Sequence, residues 1–343
     1  MRRRALLGAV LVGTVLLVAV GACIRIGGGG QPKASVAMHR ISTPEGTLYG
    51  TAWLRDGWIY FGRSASVTSF ETWRVPAAGG EPERLRLPDL AGCRVTDYLR
   101  ADRLPDGRLG LARFCQATAV GEPTRIDSGA FDPRTGQYQP LAPLRDVNPS
   151  KVTWRAGLES GYVSHTSGIC AGFAPLTRRG AQRFPGPVTL DGRTWQLEDH
   201  VLLPADEDCT GRGRADLPVL APDGKLLYFL ASPESMGVSG QARLDKPWNL
   251  YRWSPPGGSP QTLLRGLGDP YGLAISPDGR WLALGGRRDG KQRLWLVNTS
   301  DGSMNQLASG ELGDPSFSPD GRHLVAVLTK DPDHGQLYVF DLP

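Results

Sequence analysis

The chain has 343 residues, of which 40% are hydrophobic and 21% charged, a balance typical of a globular protein and not of a disordered one. Its formal net charge is +5, and Arg2, Arg3 and Arg4 supply three of those charges. Elsewhere basic and acidic residues alternate without a basic stripe and interleaved aromatic residues, which argues against a nucleic-acid-binding function. The 45 glycines and 28 prolines are spread between short apolar runs, which predicts many tight turns and many short strands.

The first 23 residues predict export. Met1–Arg4 is basic and the 18 residues from Ala5 to Ala22 are apolar or small, so this run partitions into a bilayer with its arginines on the cytoplasmic side. The run ends at Cys23 in a Val-Gly-Ala-Cys sequence that resembles the bacterial lipobox, which implies that Cys23 carries a lipid. A retained membrane anchor and an ordinary cleaved signal are the alternatives. We therefore expect the rest of the chain on the outer face of the cytoplasmic membrane or in the periplasm, with residues 24–33 as a glycine-rich tether.

Repeated units begin shortly after the tether. Trp53–Phe61 contains an Asp-Gly turn between apolar residues, and Thr72–Val75 predicts a further strand of the same unit. Leu104–Leu111, with a Pro-Asp-Gly turn, opens a second unit. The stretch from Lys151 to about Val201 has the length of another unit but lacks the turn signature, so we interpret it as a divergent copy.

Three clear copies follow, each an apolar strand, a Pro-Asp-Gly turn and a second apolar strand: Pro218–Phe229, Leu273–Leu284 and Pro315–Val327. In such a turn proline presets φ at the second position and glycine takes the positive φ that returns the chain to the sheet. A third strand follows each copy, at Asn249–Trp253, Gln292–Val297 and Gln336–Phe340. Four strands per unit, at intervals of about 42 to 55 residues, predict the blades of a β-propeller.

The last unit reaches Pro343 with only three strands, and Ser35–Ser42 can supply its fourth beside the carboxyl-terminal strand. Such a closure leaves no open sheet edge in the ring. The sequence thus predicts that residues 34–343 form one all-β domain, a six-bladed β-propeller of four-stranded antiparallel blades whose last blade is closed by an N-terminal strand.

The Ser-Pro-Asp-Gly-Arg turns followed by Leu-Trp-Leu or Leu-Tyr-Val strands resemble the TolB-type repeat of bacterial propellers, clearly over Leu217–Pro343 and more weakly back to about Leu48. That resemblance implies an envelope protein that binds partner proteins through its propeller. The amino-terminal α/β domain of that family has no counterpart between Cys23 and the first strand, which weighs against a role in the Tol system. The repeats also resemble the propeller of prolyl-oligopeptidase-type enzymes, but the Gly-x-Ser-x-Gly elbow of their hydrolase domain is absent.

Four cysteines remain besides Cys23, an even number in a chain expected to be exported, which predicts two disulfides. We favour Cys93–Cys115 and Cys170–Cys209, because each pair joins neighbouring segments; other pairings and free thiols are the alternatives. No CxxC spacing suggests zinc.

No set of residues predicts a catalytic centre, a metal site or a cofactor. The five histidines are scattered, and we interpret them as ordinary structural or surface side chains. Asp331, Asp333 and the acids at 206–208 could donate oxygens to calcium, yet they lack the glycine and the spacing of a calcium loop.

Long connections on a rigid scaffold are where function concentrates, and in four-stranded blades they gather on one face. These connections, among them the long loops expected at Ser232–Trp248 and Gly285–Lys291, predict a binding face with five leading contacts: Arg243, Lys246, Trp248, Arg287 and Arg288. The favoured function is a monomeric, non-catalytic protein-binding or scaffold module of the bacterial envelope. The alternatives are a hydrolase or lyase acting on carbohydrate or peptide at the central funnel, and a sensor of a small ligand or metal.

Overall fold

A computed structural model describes residues 34–66, 69–117, 125–144, 149–167, 170–182, 184, 188–191, 193–195, 214–232, 247–329 and 334–343. Over these ranges the protein is all-β, with small antiparallel sheets in a propeller-like arrangement. No helix in these ranges has the length and apolarity needed to cross a bilayer. Cys23 and the predicted tether at 24–33 lie outside the described residues.

The first three sheets have four strands each and follow the chain. The first consists of β2 (Thr47–Trp53), β3 (Trp58–Ser66), β4 (Ser69–Pro76) and β5 (Glu83–Arg84). The second consists of β6 (Cys93–Arg103), β7 (Leu109–Ala117), β8 (Arg125–Asp132) and β9 (Gln137–Pro143). The third consists of β10 (Pro149–Trp154), β11 (Ser160–Ser167), β12 (Cys170–Thr177) and β13 (Gly180–Ala181), and a separate hairpin of β14 (Val188–Leu190) and β15 (Arg193–Trp195) follows it.

A seven-stranded sheet comes next, with β16 (Arg214–Leu220), β17 (Leu227–Ser232), β18 (Trp248–Trp253), β19 (Gln261–Ile275), β20 (Trp281–Arg288), β21 (Lys291–Asn298) and β22 (Met304–Ser309). The last sheet has the order β1 (Met38–Ile41), β25 (Gly335–Asp341), β24 (His323–Thr329) and β23 (Leu312–Phe317).

The seven-stranded sheet differs from the two separate blades that the sequence predicts. β19 is 15 residues long, and its first half pairs with β18 while its second half pairs with β20. The pairing passes from Leu267, which faces Trp248, to Gly268, which faces Arg287. The connection between the two units is itself part of β19, so strand pairing continues across it and joins them into one sheet.

The divergent third unit is present but shorter than expected. It ends at Ala181, and the predicted remainder, up to about Val201, includes the added β14–β15 hairpin. Its first turn is Arg155-Ala156-Gly157-Leu158, with φ of 83° at Gly157 and 58° at Leu158. The turn thus reaches the same reversal without the Pro-Asp-Gly signature.

The Pro-Asp-Gly turns form as the sequence predicts. Gly224, Gly279 and Gly321 have φ of 69°, 74° and 72°, a region in which a side chain is strained. In each turn the aspartate also accepts a hydrogen bond from the backbone two residues later, as when Arg280 N–H donates to Asp278 Oδ1 over 3.0 Å.

The predicted closure of the last sheet is confirmed. β1 pairs antiparallel with β25, so that Met38 faces Phe340 and Ile41 faces Leu337. Ile41 is 2% exposed and packs with Val339 and Val75, which brings both ends of the described chain into one core cluster.

The core lies between neighbouring sheets. Phe173 of β12 and Phe229 of β17 have ring centroids 4.9 Å apart, and Phe229 stacks on Tyr251 of β18 at 5.4 Å. Side chains on both faces of these sheets are therefore buried, which explains their nearly continuous apolar runs.

Asp191, at the tip of the β14–β15 hairpin, ties that hairpin to the seven-stranded sheet. Its carboxylate accepts two parallel hydrogen bonds of 2.9 Å from Arg265, and others from the hydroxyls of Tyr251 (2.8 Å) and Thr262 (2.6 Å). Arg265 holds the pKa of Asp191 at about 2, and the hydroxyls of Thr262 and Tyr251 lower it as well.

A disulfide joins Cys93 and Cys115 across β6 and β7, with their Cα atoms 5.3 Å apart. The second predicted pair, Cys170–Cys209, stays a prediction. Cys209 lies outside the described residues, and only the backbone of Cys170 is described.

Candidate functional site

Six strands lie innermost in their sheets or sheet halves: β2, β6, β10, β16, β23 and the second half of β19. Each has a break in its pairing register, and we call these six the inner strands. Bulges of this kind bend a strand and change the direction of its side chains. Four residues at the breaks have positive φ, namely Gly50 (53°), Leu217 (54°), Asp269 (39°) and Asp314 (44°).

The bulges bring polar groups from different inner strands to a central channel. Lys151 of β10 forms an ion pair with Asp102 of β6, both side chains being less than one-fifth exposed. Asp314 of β23 accepts a hydrogen bond of 2.8 Å from the Gly50 N–H of β2, and its own carbonyl accepts one of 2.5 Å from Thr51. Both carboxylates therefore have donors from a neighbouring sheet.

The channel is narrow at this depth. It is lined by residues of all six inner strands, namely Gly50, Thr51, Asp102, Lys151, Leu217, Gly272, Leu273, Asp314 and Pro315. The cavity among them measures about 10 Å³, which is room for about one water molecule. A substrate of several atoms does not fit here, so any larger ligand would bind at one of the two ends.

The two ends differ in their connections. One end carries the turns that follow the inner strands, such as Asp278–Gly279, and we call it the turn face. The other carries the connections between the second and third strands of each sheet, and we call it the loop face. At the loop face β20 and β21 continue to a two-residue turn, Asp289–Gly290, with φ of 50° and 72°. The expectation of a long loop over Gly285–Lys291 is therefore wrong, because the strands extend to the tip of a tight hairpin.

Five polar residues form a cluster at the loop-face end of the channel: Asp269, Tyr271, Arg287, Gln292 and Glu311. Arg287 pairs with Asp269 at 3.0 Å. The Gln292 amide donates to the Tyr271 hydroxyl over 2.9 Å and to Glu311 over 3.1 Å. We call these residues the loop-face cluster.

The cluster holds Glu311 partly buried. Burial raises the pKa of Glu311 above its usual range, although Gln292 and Arg287 oppose this, and burial likewise raises the pKa of Tyr271. A carboxyl group of this kind can hold a proton more readily than a surface glutamate, which is chemically suited to proton transfer or to a pH-sensitive contact.

The predicted binding residues do not all lie on one surface. Trp248 is 6% exposed and packs in the core with Leu267, so its expected role as an exposed contact is wrong: strand pairing places it inside the sheet. Arg287 is held by Asp269 and only partly exposed, and Arg288 contacts Met304. Arg243 and Lys246 lie outside the described residues.

The polar channel residues were missed at the sequence level. A signal was present, since Gly-Asp-Pro occurs at Gly268–Pro270 and again at Gly313–Pro315, each time just before an apolar strand. The pairing of Asp102 with Lys151, by contrast, joins residues 49 positions apart and leaves no local pattern.

Among the residues that the structure describes, no three His, Cys, Asp or Glu side chains are grouped as metal ligands would be. Of the acids considered for calcium, Asp331, Asp333 and those at 206–208 lie outside that part of the chain.

Similarity to curated proteins is partial. The chain is 26% identical over 232 residues to Tricorn protease homolog 1 of Streptomyces coelicolor, covering 64% of this chain and 21% of that protein. It is 30% identical over 170 residues to the uncharacterized protein Atu1656 of Agrobacterium fabrum, covering 46% of this chain and 52% of that one. The chain thus spans about half of one relative and about a fifth of the other. No family model matches the chain.

Similarity to solved structures extends over most of the chain. TolB from Acinetobacter baumannii matches with a TM-score of 0.51 at 17% identity, covering 82% of this chain and 63% of that one. Regucalcin from Agrobacterium tumefaciens matches with a TM-score of 0.53 at 14% identity, and an oligogalacturonate lyase in complex with manganese with 0.51 at 13%; each match covers 90% of this chain and 94% of the other. These matches show a TolB-like propeller fold.

Proposed function

We propose that this protein is an exported, membrane-anchored propeller that binds another envelope protein through its loop face and performs no catalysis. The apolar segment up to Cys23 supports export and anchoring, with Cys23 as the lipidated residue. Residues 34–343 form the single propeller domain in this proposal. The TolB-like fold is consistent with an envelope location and with a protein partner.

The count of six blades is part of the proposal. It is supported by contacts that run in a closed circuit: β2 contacts β6, β6 contacts β10, β10 contacts β16, β16 contacts β19, β19 contacts β23 and β23 contacts β2. Each inner strand then opens one blade, and the seven-stranded sheet contains two blades joined through β19.

The observation that carries the non-catalytic proposal is the pairing of the channel acids. Asp102 pairs with Lys151 and Asp269 with Arg287, and the Asp314 carboxylate accepts a hydrogen bond from the Gly50 N–H of the first sheet. A carboxylate held in this way fastens neighbouring sheets. The cavity that Asp102 and Asp314 line has room for about one water molecule, so these acids act as structural ties.

The binding surface in this proposal is the loop face, with Arg288, Arg243 and Lys246 as contacts. Arg287 is not a direct contact in this proposal, because its ion pair with Asp269 holds its side chain. Asp289 and Lys291 are exposed at the tip of the β20–β21 hairpin and project from the same face. A rim of mixed charge around a rigid scaffold favours a polar protein surface as the partner.

Crosslinking in intact cells, followed by capture of the tagged protein and mass spectrometry, tests this proposal. A variant with R243E and K246E is compared with a control carrying R280E and R322E on the turn face. We expect one reproducible envelope protein with the wild type and the control, and its loss from the loop-face variant. Equal capture by both variants, or no specific partner, would contradict the proposal.

A second candidate, a hydrolase or lyase acting at the funnel, is favoured by one observation. Glu311 lies partly buried beside Tyr271 at the loop-face end, with a raised pKa. If this candidate is right, an E311Q variant loses turnover of carbohydrate or peptide substrates by at least about 100-fold while keeping its melting temperature. An unchanged turnover would exclude Glu311 as the acid.

A further inference from the structure

The turn face contains an arginine where the other inner strands have large apolar residues. Equivalent positions are defined by one shared hydrogen bond, in which the backbone N–H after the inner strand donates to the carbonyl oxygen of the residue at, or just before, the start of the second strand. These donors are Leu54, Leu104, Arg155, Ala221, Ser276 and Ser318. The residues just before them are Trp53, Arg103, Trp154, Leu220, Ile275 and Phe317. Five of the six fill space between sheets, and only Arg103 carries a charge.

Arg103 is partly buried, and among the described residues no opposite charge lies against it. Its guanidinium donates one hydrogen bond, of 3.3 Å, to the carbonyl oxygen of Phe317, and no carboxylate in the described part of the chain pairs with it. Another cation, Arg55, lies in the turn after β2, the inner strand that contacts β6. Burial lowers the pKa of Arg103, and Arg55 lowers it further. A desolvated guanidinium beside a like charge is unfavourable unless an anion compensates it.

The aspartates of this face are engaged elsewhere. Asp56 accepts from the Trp58 N–H and from the Tyr60 hydroxyl, and Asp106 pairs with Arg108 within its own turn. Asp320 accepts from the Ser318 hydroxyl and the Arg322 N–H. These carboxylates are used to build the turns, so they leave the Arg103–Arg55 pair uncompensated.

We propose that Arg103 and Arg55 form a binding site for a small oxyanion, a phosphate or a carboxylate, at the turn-face end of the channel. A guanidinium presents parallel N–H groups that match two oxygens of either anion, and the second arginine adds charge and further donors. The site is separate from the loop face, so its test does not depend on the proposed protein partner.

The test measures thermal stability of the full chain in detergent, with sodium phosphate or sodium succinate titrated against sodium chloride at matched ionic strength. An anion that binds only the folded protein raises Tm in a saturating way, by roughly 3–8 °C for a filled site. A response to phosphate alone or to succinate alone identifies which oxyanion the site prefers.

Three variants separate binding from structure. R103L gives this position a leucine, as at the equivalent position Leu220. We therefore expect the Tm of R103L in chloride to equal or exceed that of the wild type. Its saturating response to the anion should be lost. R55L should weaken the apparent affinity at least tenfold. R280L, which removes an exposed arginine bound to Asp278 in its own turn, should leave the response unchanged.

Two results would overturn the proposal. Sulfate-like salts stabilise proteins generally, and a non-saturating rise shared by the wild type, R103L and R280L would be that general effect. A drop in the Tm of R103L in chloride, with its anion response intact, would show that Arg103 serves only to hold the Phe317 carbonyl.

Discussion

At the scale of single residues, ion pairs and hydrogen bonds fasten one sheet to the next. Asp191 is an example: it binds Arg265, Thr262 and Tyr251, and it turns the β14–β15 hairpin with φ of 49°. Asp191 therefore holds an added hairpin in the space between the third sheet and the seven-stranded sheet.

Replacement of Asp191 by Asn should lower the free energy of unfolding by about 1–3 kcal/mol, because a charged acceptor with several donors is lost. The pH dependence has a definite sign. The pKa of Asp191 is depressed to about 2, so its contribution is complete above the unfolded pKa near 4 and is lost as pH falls through about 2.

Urea unfolding at several pH values between 5 and 2 measures this effect. The wild type should lose its advantage over D191N progressively below about pH 4. R265Q serves as the partner control in a double-mutant cycle. A constant difference between the wild type and D191N down to pH 2 would contradict the assigned role.

At the scale of strands, glycines allow neighbouring sheets to approach. A Cβ on Gly285 of β20 would lie 2.0 Å from the Leu312 carbonyl oxygen of β23. A Cβ on Gly268, in β19, would meet its nearest neighbour, the Arg287 Cβ, at an ordinary 3.5 Å. Only the first glycine is required by the packing of two sheets.

We therefore expect G285A to reduce stability by about 1–3 kcal/mol, since the backbone of β23 must move. G268A, the matched control in the same sheet, should change stability by less than about 1 kcal/mol. Thermal unfolding of both variants checks this, and equal Tm values would show that the sheets do not approach as described.

The strands and turns could be predicted from sequence because they depend on local chemistry. The Pro-Asp-Gly turns at Asp223, Asp278 and Asp320 identify the hairpins, and the strand predicted within Ser35–Ser42 pairs with β25 as expected. The continuous β19 could not be predicted, because the sequence of Arg265–Gly268 is also compatible with a loop between two blades. Only its pairing with β18 and β20 shows that it is strand. The same holds for Trp248, whose burial depends on Leu267 and not on its own neighbours in sequence.

At the scale of the whole molecule, the ring is closed by a strand from the opposite end of the chain. Ile41 of β1 is buried among residues of the first and last sheets, whereas the adjacent Arg40 is exposed. This arrangement makes the stability of the whole domain depend on a short amino-terminal strand.

Replacement of Ile41 by Ala should cost about 2–5 kcal/mol, as expected for a buried aliphatic residue. R40A, one position away on the same strand, should change stability by no more than about 0.5 kcal/mol. Denaturant unfolding that shows a single transition for both variants, with only I41A shifted, is the expected result. An unshifted I41A would mean that β1 does not contribute to closure.

The functional account depends on which face of the propeller contacts a partner. The most direct measurement introduces a photo-crosslinking amino acid in living cells at Lys291, on the loop face, and separately at Asp301, on the turn side of the same sheet. Both positions are exposed, so both variants should fold and be exported alike. We expect a discrete adduct with an envelope protein from position 291 and none from position 301. Adducts from position 301 alone, or from neither position, would contradict the assignment of the loop face as the binding surface.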